Sequence, residues 1–267
     1  MKSFKLSAII LAGLFMHQAG FAQFTDTTAS PDTTVVKHEK KIDLLPAESK
    51  KHFPLKQLLI PGFMLAYGFT SLENDGLRHI NEEFKDELYT ENPHRTVSID
   101  NYLQFAPAAI VYGLNVIGIK GRHNLRDRSM IYAMSNIFLN ISVTSLKKIT
   151  RLPRPDGSAE SSFPSGHTAE AFASAEFMRL EYKNVSPWYG AAGYAMAAAT
   201  GYLRMYNNKH WFGDVVAGAG VGILSTKIAY WIYPKIQQKL FKVKPVKTVV
   251  MPLYQNNSLG VAIVQHF

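Results

Sequence analysis

The 267-residue chain has no cysteine, which excludes a disulfide framework and leaves a fold that suits an oxidising compartment without depending on one. It has no base-stacking or groove-reading module, so its net charge of +9 does not point to nucleic acid. Much of that charge lies in a basic loop at 120–128 and a basic tail at 235–247. No strand precedes Gly218, Gly220 and Gly222, which excludes a dinucleotide-binding glycine loop; the spacing of Gly218 and Gly222 suits close helix packing instead. A mean hydropathy of −0.05 is low for a protein that crosses a membrane several times.

Apolar helical runs are nevertheless frequent. They fall at about 101–119, 129–149, 167–182, 188–206 and 213–233 with short connections, so the fold class is all-α, a helical bundle of polytopic membrane type. Several runs approach the ~20 apolar residues needed to span a bilayer. Glu170, Glu176, Arg179 and Glu181 are costly in lipid unless they face the bundle interior. Residues 1–22 read as a signal peptide, with Lys2 and Lys5 before an apolar centre and Gly20-Phe21-Ala22 at the cleavage positions. Residues 23–54 read as a flexible exported linker. Residues 55–98 combine an apolar segment, broken at Pro61-Gly62, with an amphipathic helix whose Leu77, Ile80, Phe84 and Leu88 share one face. That face lies either on a membrane surface or on the protein's own core. The bundle occupies 99–234, and 235–267 holds the basic tail and a segment around Asn256-Asn257 that can form one β-hairpin.

Three separated pieces between Lys147 and Asp214 make sense together: Lys147 with Arg154-Pro155, then Pro164-Ser165-Gly166-His167, then Arg204 with His210 and Asp214. Phosphoryl transfer requires cations and N–H groups on three equatorial oxygens, a nucleophile and a proton donor. Lys147, Arg154 and Arg204 supply permanent charge, the arginines as planar forks. Ser165 and Gly166 precede an Ala-rich helix, so they offer a hydroxyl and backbone N–H groups at a helix N-terminus, where an anion is favoured. His210 lies four residues before Asp214, so the carboxylate can hold one ring nitrogen and leave the other to attack phosphorus. His167, beside the anion-binding turn, is placed to protonate the leaving oxygen and then to deprotonate water. This chemistry needs no metal and no cofactor. Each piece has a plainer reading: basic flanks and proline stops at 147–155, an N-cap at Ser165, an interfacial polar cluster at His210 and Trp211.

The three pieces resemble the three signatures of the type 2 phosphatidic acid phosphatase superfamily, which includes bacterial class A acid phosphatases, glucose-6-phosphatase and vanadium haloperoxidases. The resemblance covers about 120–234. It implies that Lys147, Arg154, Ser165, Gly166 and Arg204 bind phosphate, that His210 is a nucleophile supported by Asp214, and that His167 is the general acid. One departure is visible: Leu203 stands where a serine usually precedes the arginine.

If the basic loop and tail are cytoplasmic, helix counting puts Arg154, His167 and His210 on the periplasmic side of a bacterial inner membrane, with Trp188, Tyr189, Trp231 and Tyr233 at the cytoplasmic interface. With a cleaved signal, 55–72 is then re-entrant or interfacial rather than a simple span. The resulting expectation is a metal-independent phosphatase acting through a phosphohistidine intermediate on a phosphorylated lipid. Undecaprenyl pyrophosphate, phosphatidylglycerophosphate, phosphatidic acid and lipid A phosphate all carry a suitable headgroup. The alternatives are a soluble periplasmic acid phosphatase, a haloperoxidase holding vanadate on His210, and a non-catalytic membrane scaffold.

Overall fold

A computed structural model describes residues 55–241, 248–255 and 258–265. The signal at 1–22, the whole linker at 23–54, the end of the basic tail at 242–247, and Asn256-Asn257 lie outside the described residues.

After one turn of 3-10 helix at Leu55–Leu58, eight α-helices follow among the described residues: α1 (Leu59–Thr70), α2 (Asp75–Lys85), α3 (Asp100–Leu103), α4 (Ala106–Val116), α5 (Leu125–Thr150), α6 (Gly166–Tyr182), α7 (Pro187–Tyr206) and α8 (Phe212–Phe241). Two antiparallel strands, β1 (Thr248–Gln255) and β2 (Ser258–Gln265), pair in register from Thr248 with Gln265 to Gln255 with Ser258, the hairpin allowed for in the sequence.

Local chemistry accounts for the helix starts. Asn74, Asn124, Ser165 and Ser186 each place a side-chain oxygen against an N–H of the first turn of α2, α5, α6 and α7. The cap at Asn124 starts α5 four residues earlier than the apolar run alone implies. The segment expected as one helix over 101–119 is instead two, because Pro107 lacks an N–H and its ring would clash with the carbonyl of Leu103, where α3 stops. Pro61 does not break α1: it occupies the first turn, where its missing donor costs nothing. Conversely, α8 continues past Pro234. Gln237 donates to Asp127 at 3.0 Å and Lys235 sits 4.2 Å from the Trp231 ring centre, which fastens the helix beyond the proline.

Helix α6 is the axis of the bundle and packs against α4, α5, α7 and α8. Its Ala169, Ala171, Ala173 and Ala175 are fully buried, and their small side chains let the neighbouring backbones come close. A Cβ on Gly218 would lie 2.5 Å from the Ser165 carbonyl oxygen, and one on Gly222 would overlap the Ala169 carbonyl, so the α6–α8 contact demands glycine at both positions. The acidic side chains of α6 do face inward. Glu170, Glu176 and Glu181 each accept a 2.6 Å hydrogen bond from a tyrosine hydroxyl, those of Tyr132, Tyr194 and Tyr230 respectively. Tyr233, expected at an interface, is buried and donates to Asp127 at 2.6 Å. The apolar face of α2 turns towards the protein: Phe84 stacks on Phe212 with ring centres 4.6 Å apart, and Asn81 accepts from the N–H of Gly213 at 2.9 Å.

Candidate active site

The C-terminal ends of α5 and α7 and the N-terminal ends of α6 and α8 meet at one end of the bundle, and the three sequence pieces come together there. The basic loop at 120–128 lies at the other end of α6, where the N–H of Arg122 binds the carbonyl of Glu181 at 3.0 Å.

Two chain reversals set the geometry. Arg151 ends α5 in the left-handed conformation (φ 46°), a position usually given to glycine, one turn after Lys147. Asn208 (φ 55°) does the same after α7, immediately before Lys209 and His210. The loop between α5 and α6 closes through hydrogen bonds from the N–H of Arg154 to the Ala159 carbonyl and from that of Ser162 to the Leu152 carbonyl, both at 2.9 Å. It is fastened to the His210 segment at two points: Lys209 pairs with Asp156 at 2.5 Å, and the Trp211 indole N–H reaches the Pro153 carbonyl at 3.1 Å. The Lys209 ammonium and the bonds from Ser158 hold the Asp156 carboxyl down at about 2, overcoming the opposing effect of partial burial.

At the centre, His210 and Asp214 are almost wholly buried. His210 Nδ1 faces Asp214 Oδ2 at 3.4 Å, leaving Nε2 as the free ring nitrogen. The same carboxylate oxygen accepts the backbone N–H of Trp211 at 3.0 Å and the hydroxyl of Ser162. Burial pushes the His210 imidazole down to about 4; the bond to Asp214 opposes this, and the charges of Lys147 and Arg204 reinforce it. The ring is therefore neutral at pH 7, the state in which a histidine can attack.

Ser165 is buried and caps α6 through the N–H of Thr168, its hydroxyl 2.8 Å from that of Thr168. Its own N–H donates to the carbonyl of Asp214 at 3.0 Å, which ties the second piece to the third. The N-cap reading of Ser165 and its place in the site therefore coexist. Gly166 is the first residue of α6, so its N–H is among those without an intrahelical partner. Lys147 donates to the carbonyls of Ser161 and Ser162. The charges of Arg204, Arg154 and Lys147 all act on His167, and those of Lys147 and Arg204 act on His210, so the three cations and both histidines share one electrostatic neighbourhood. Among the described residues, the few buried side-chain atoms without a hydrogen-bond partner include Nε of Arg154 and Nε of Arg204. A cleft of about 390 Å³ on the flank of Lys147 is lined by Thr144, Lys148, Arg151, Glu160 and Ser161.

Three residues in this arrangement escaped sequence reasoning. Ser162 binds Asp214; Asp100 pairs with Arg204 Nη1 at 2.6 Å; and the Asn101 side-chain oxygen lies 2.9 Å from His167 Nε2. Ser162 stands just before Phe163-Pro164 in a serine-rich loop, and only its neighbourhood to the second piece could have flagged it. Asp100 lies 104 residues before Arg204, and no local pattern links them.

The model of the PAP2 superfamily matches residues 128–238, which contain all eight candidate residues. This segment belongs to the PAP2 superfamily. Among curated relatives, the lipid A 1-phosphatase of Porphyromonas gingivalis is 33% identical over 235 residues, 86% of this chain and 50% of the relative. The bacitracin transport permease protein BcrC of Bacillus licheniformis is 32% identical over 96 residues, 35% of this chain and 45% of the relative. The chain thus spans about half the length of the curated relatives it matches. Two crystal structures are also similar. LpxE of Aquifex aeolicus aligns with a TM-score of 0.44 and 22% identity over 57% of this chain and 95% of that one. A transmembrane PAP2 type phosphatidylglycerolphosphate phosphatase of Bacillus subtilis aligns with 0.43 and 17% over 69% and 97%.

Proposed function

We propose that the chain is a metal-independent phosphatase that hydrolyses a lipid phosphate or pyrophosphate headgroup at the periplasmic face of a membrane. The observation that carries this reading is the pair of buried, unpartnered Nε–H groups on Arg154 and Arg204 at the end of the bundle that also holds the neutral, buried His210. Two desolvated guanidinium donors without acceptors are costly in a folded protein, and an anion with several oxygens removes that cost.

In the proposed reaction, His210 Nε2 attacks phosphorus, the N–P bond forms, and the bond from phosphorus to the leaving oxygen breaks in line with it. The electron pair leaves on that oxygen, which takes a proton from His167. Water, deprotonated by His167, then breaks the N–P bond and releases inorganic phosphate. Lys147, Arg154, Arg204, Ser165 and Gly166 hold the equatorial oxygens. Asp214 keeps the proton of His210 on Nδ1.

The membrane reading is supported by Phe212–Lys239, long and apolar enough to cross a bilayer, and by exposed apolar side chains on α1, α4 and α5 such as Ile60, Phe63, Val116, Ile137 and Ile141. Only that one described helix passes the length and composition test, and the mean hydropathy of −0.05 is low, which favours a soluble periplasmic phosphatase as the second reading. Release into a high-salt wash without detergent would favour the soluble form. The substrate is tested by phosphate release across lipid A phosphate, phosphatidic acid, phosphatidylglycerophosphate, undecaprenyl pyrophosphate and soluble monoesters. Lipid A phosphate comes first, since a lipid A 1-phosphatase is among the relatives. Turnover of soluble monoesters alone would overturn the lipid assignment.

A further inference from the structure

Adjacent residues at the start of α3, outside the segment matched by the PAP2 superfamily, each grip one member of the site. Asp100 is 1% exposed and binds Arg204 Nη1 at 2.6 Å; Asn101, on the surface, faces His167 Nε2 at 2.9 Å. We infer that Asp100 and Asn101 are positioning residues for opposite ends of the substrate's reacting bond: Asp100 aims Arg204 at the phosphate oxygens, and Asn101 turns His167 towards the leaving oxygen. The inference rests on the phosphatase reading above.

The register of α3 is fixed against the helix that carries Arg204. The N–H of Val97 donates to the Asn207 side-chain oxygen, and the Asn207 side-chain nitrogen donates back to the Val97 carbonyl, both at 2.8 Å. His94 lies flat on Tyr206 with ring centres 3.5 Å apart, its Nε2 2.8 Å from the Tyr206 carbonyl. Four points on the last turn of α7 and just beyond it, the Tyr206 ring and carbonyl and the two polar atoms of the Asn207 amide, therefore hold the strand of chain that leads into Asp100.

Within that frame the two contacts have different chemical consequences. Asp100 engages Nη1 of the guanidinium and leaves the buried Nε–H of Arg204 without a partner. A planar fork held at one corner has lost most of its rotational freedom before substrate arrives, so less entropy is lost on binding. Asn101 offers His167 an amide oxygen, which accepts from Nε2–H and cannot itself take up a proton. With Nε2–H given to the amide, Nδ1 is the nitrogen that takes up and gives the transferred proton, and the ring plane is set by the amide. A carboxylate at 101 would instead compete for the proton.

The test uses the full chain in detergent micelles, with phosphatidic acid as a substrate whose leaving alcohol is poor and p-nitrophenyl phosphate as one whose leaving group is good. Asn101→Ala should lower kcat on phosphatidic acid at least tenfold, while p-nitrophenyl phosphate turnover falls less than about threefold, because a good leaving group needs little protonation. Asn101→Gln should recover part of the loss. An equal fall on both substrates would overturn the role of Asn101. Asp100→Asn should weaken inhibition by orthovanadate at least about tenfold and raise KM more than it lowers kcat, with Asp100→Glu recovering part of the affinity. Unchanged vanadate inhibition in a folded Asp100→Asn protein would overturn the role of Asp100. Wild-type protein that hydrolyses neither substrate and does not bind vanadate would remove the phosphatase reading itself, a result distinct from either variant outcome.

Discussion

Ser162 donates its hydroxyl to Asp214 Oδ2, the oxygen that faces His210 Nδ1. The carboxylate is therefore held from two sides, by the loop before α6 and by the N–H of Trp211, and His210 meets an acceptor that is already fixed. Asp214→Asn should lower turnover by about two to four powers of ten, as loss of an orienting carboxylate does in other histidine-carboxylate pairs. Ser162→Ala keeps the carboxylate but loosens it, and should lower turnover by roughly one power of ten. Steady-state kinetics on one substrate check the order of the two losses.

The acid limb of kcat/KM reports the protonation of the free enzyme. Because burial places the His210 imidazole at about 4, well below the ordinary 6.5, the limb should fall only as pH approaches 4. The same shift sets a stability trend. Between 6.5 and 4 the unfolded chain binds a proton at this residue that the folded chain does not, so this contribution to stability is full above 6.5 and is lost as pH falls towards 4. A limb centred near 6.5 in the free enzyme would contradict a buried neutral His210.

Arg204→Lys conserves charge and loses the fork, so neither the Nη1 bond to Asp100 nor the Nε–H offered to the anion can be kept. It should lower kcat/KM by about two powers of ten or more, since charge-assisted forked contacts are among the strongest single contributions to binding. Near wild-type activity in the lysine variant would mean that the third signature, with its Leu203 departure, does not form the phosphate clamp.

Helix packing gives a prediction independent of chemistry. A methyl group on Gly222 would overlap the Ala169 carbonyl and lie 2.8 Å from the Ala173 nitrogen, both backbone atoms of α6 that cannot turn aside. Gly222→Ala should destabilise the protein by about 1–3 kcal/mol, visible as a lower thermal midpoint. Gly62→Ala, where a Cβ meets nothing within 4 Å, is the matched control.

Residues within a few positions of one another were the legible part of this chain. The spacing of His210 and Asp214, the turn at Ser165 and Gly166 and the apolar period of the later helices all follow from local sequence. The inward placement of Glu170, Glu176 and Glu181 was only a condition for setting that helix in lipid, and the tyrosines that meet them come from other helices. Proline misled in both directions: Pro107 divided a helix expected to be whole, while Pro61 and Pro234 sit inside helices expected to break or stop there. Asp100 and Asn101 were illegible because their partners lie 104 and 66 residues away. Tertiary contact alone joins them to the site.

The central claim is that His210 attacks phosphorus without a metal. It is tested most directly by measuring phosphate release from a lipid phosphate by the purified full chain in excess EDTA, alongside acid-labile phosphoenzyme captured by rapid quench, for wild type and His210→Ala. The account predicts undiminished release and a trapped phosphoenzyme in wild type, with both absent in His210→Ala. Phosphoenzyme on the His210→Ala protein, or wild-type activity abolished by EDTA and restored by a divalent metal, would contradict it.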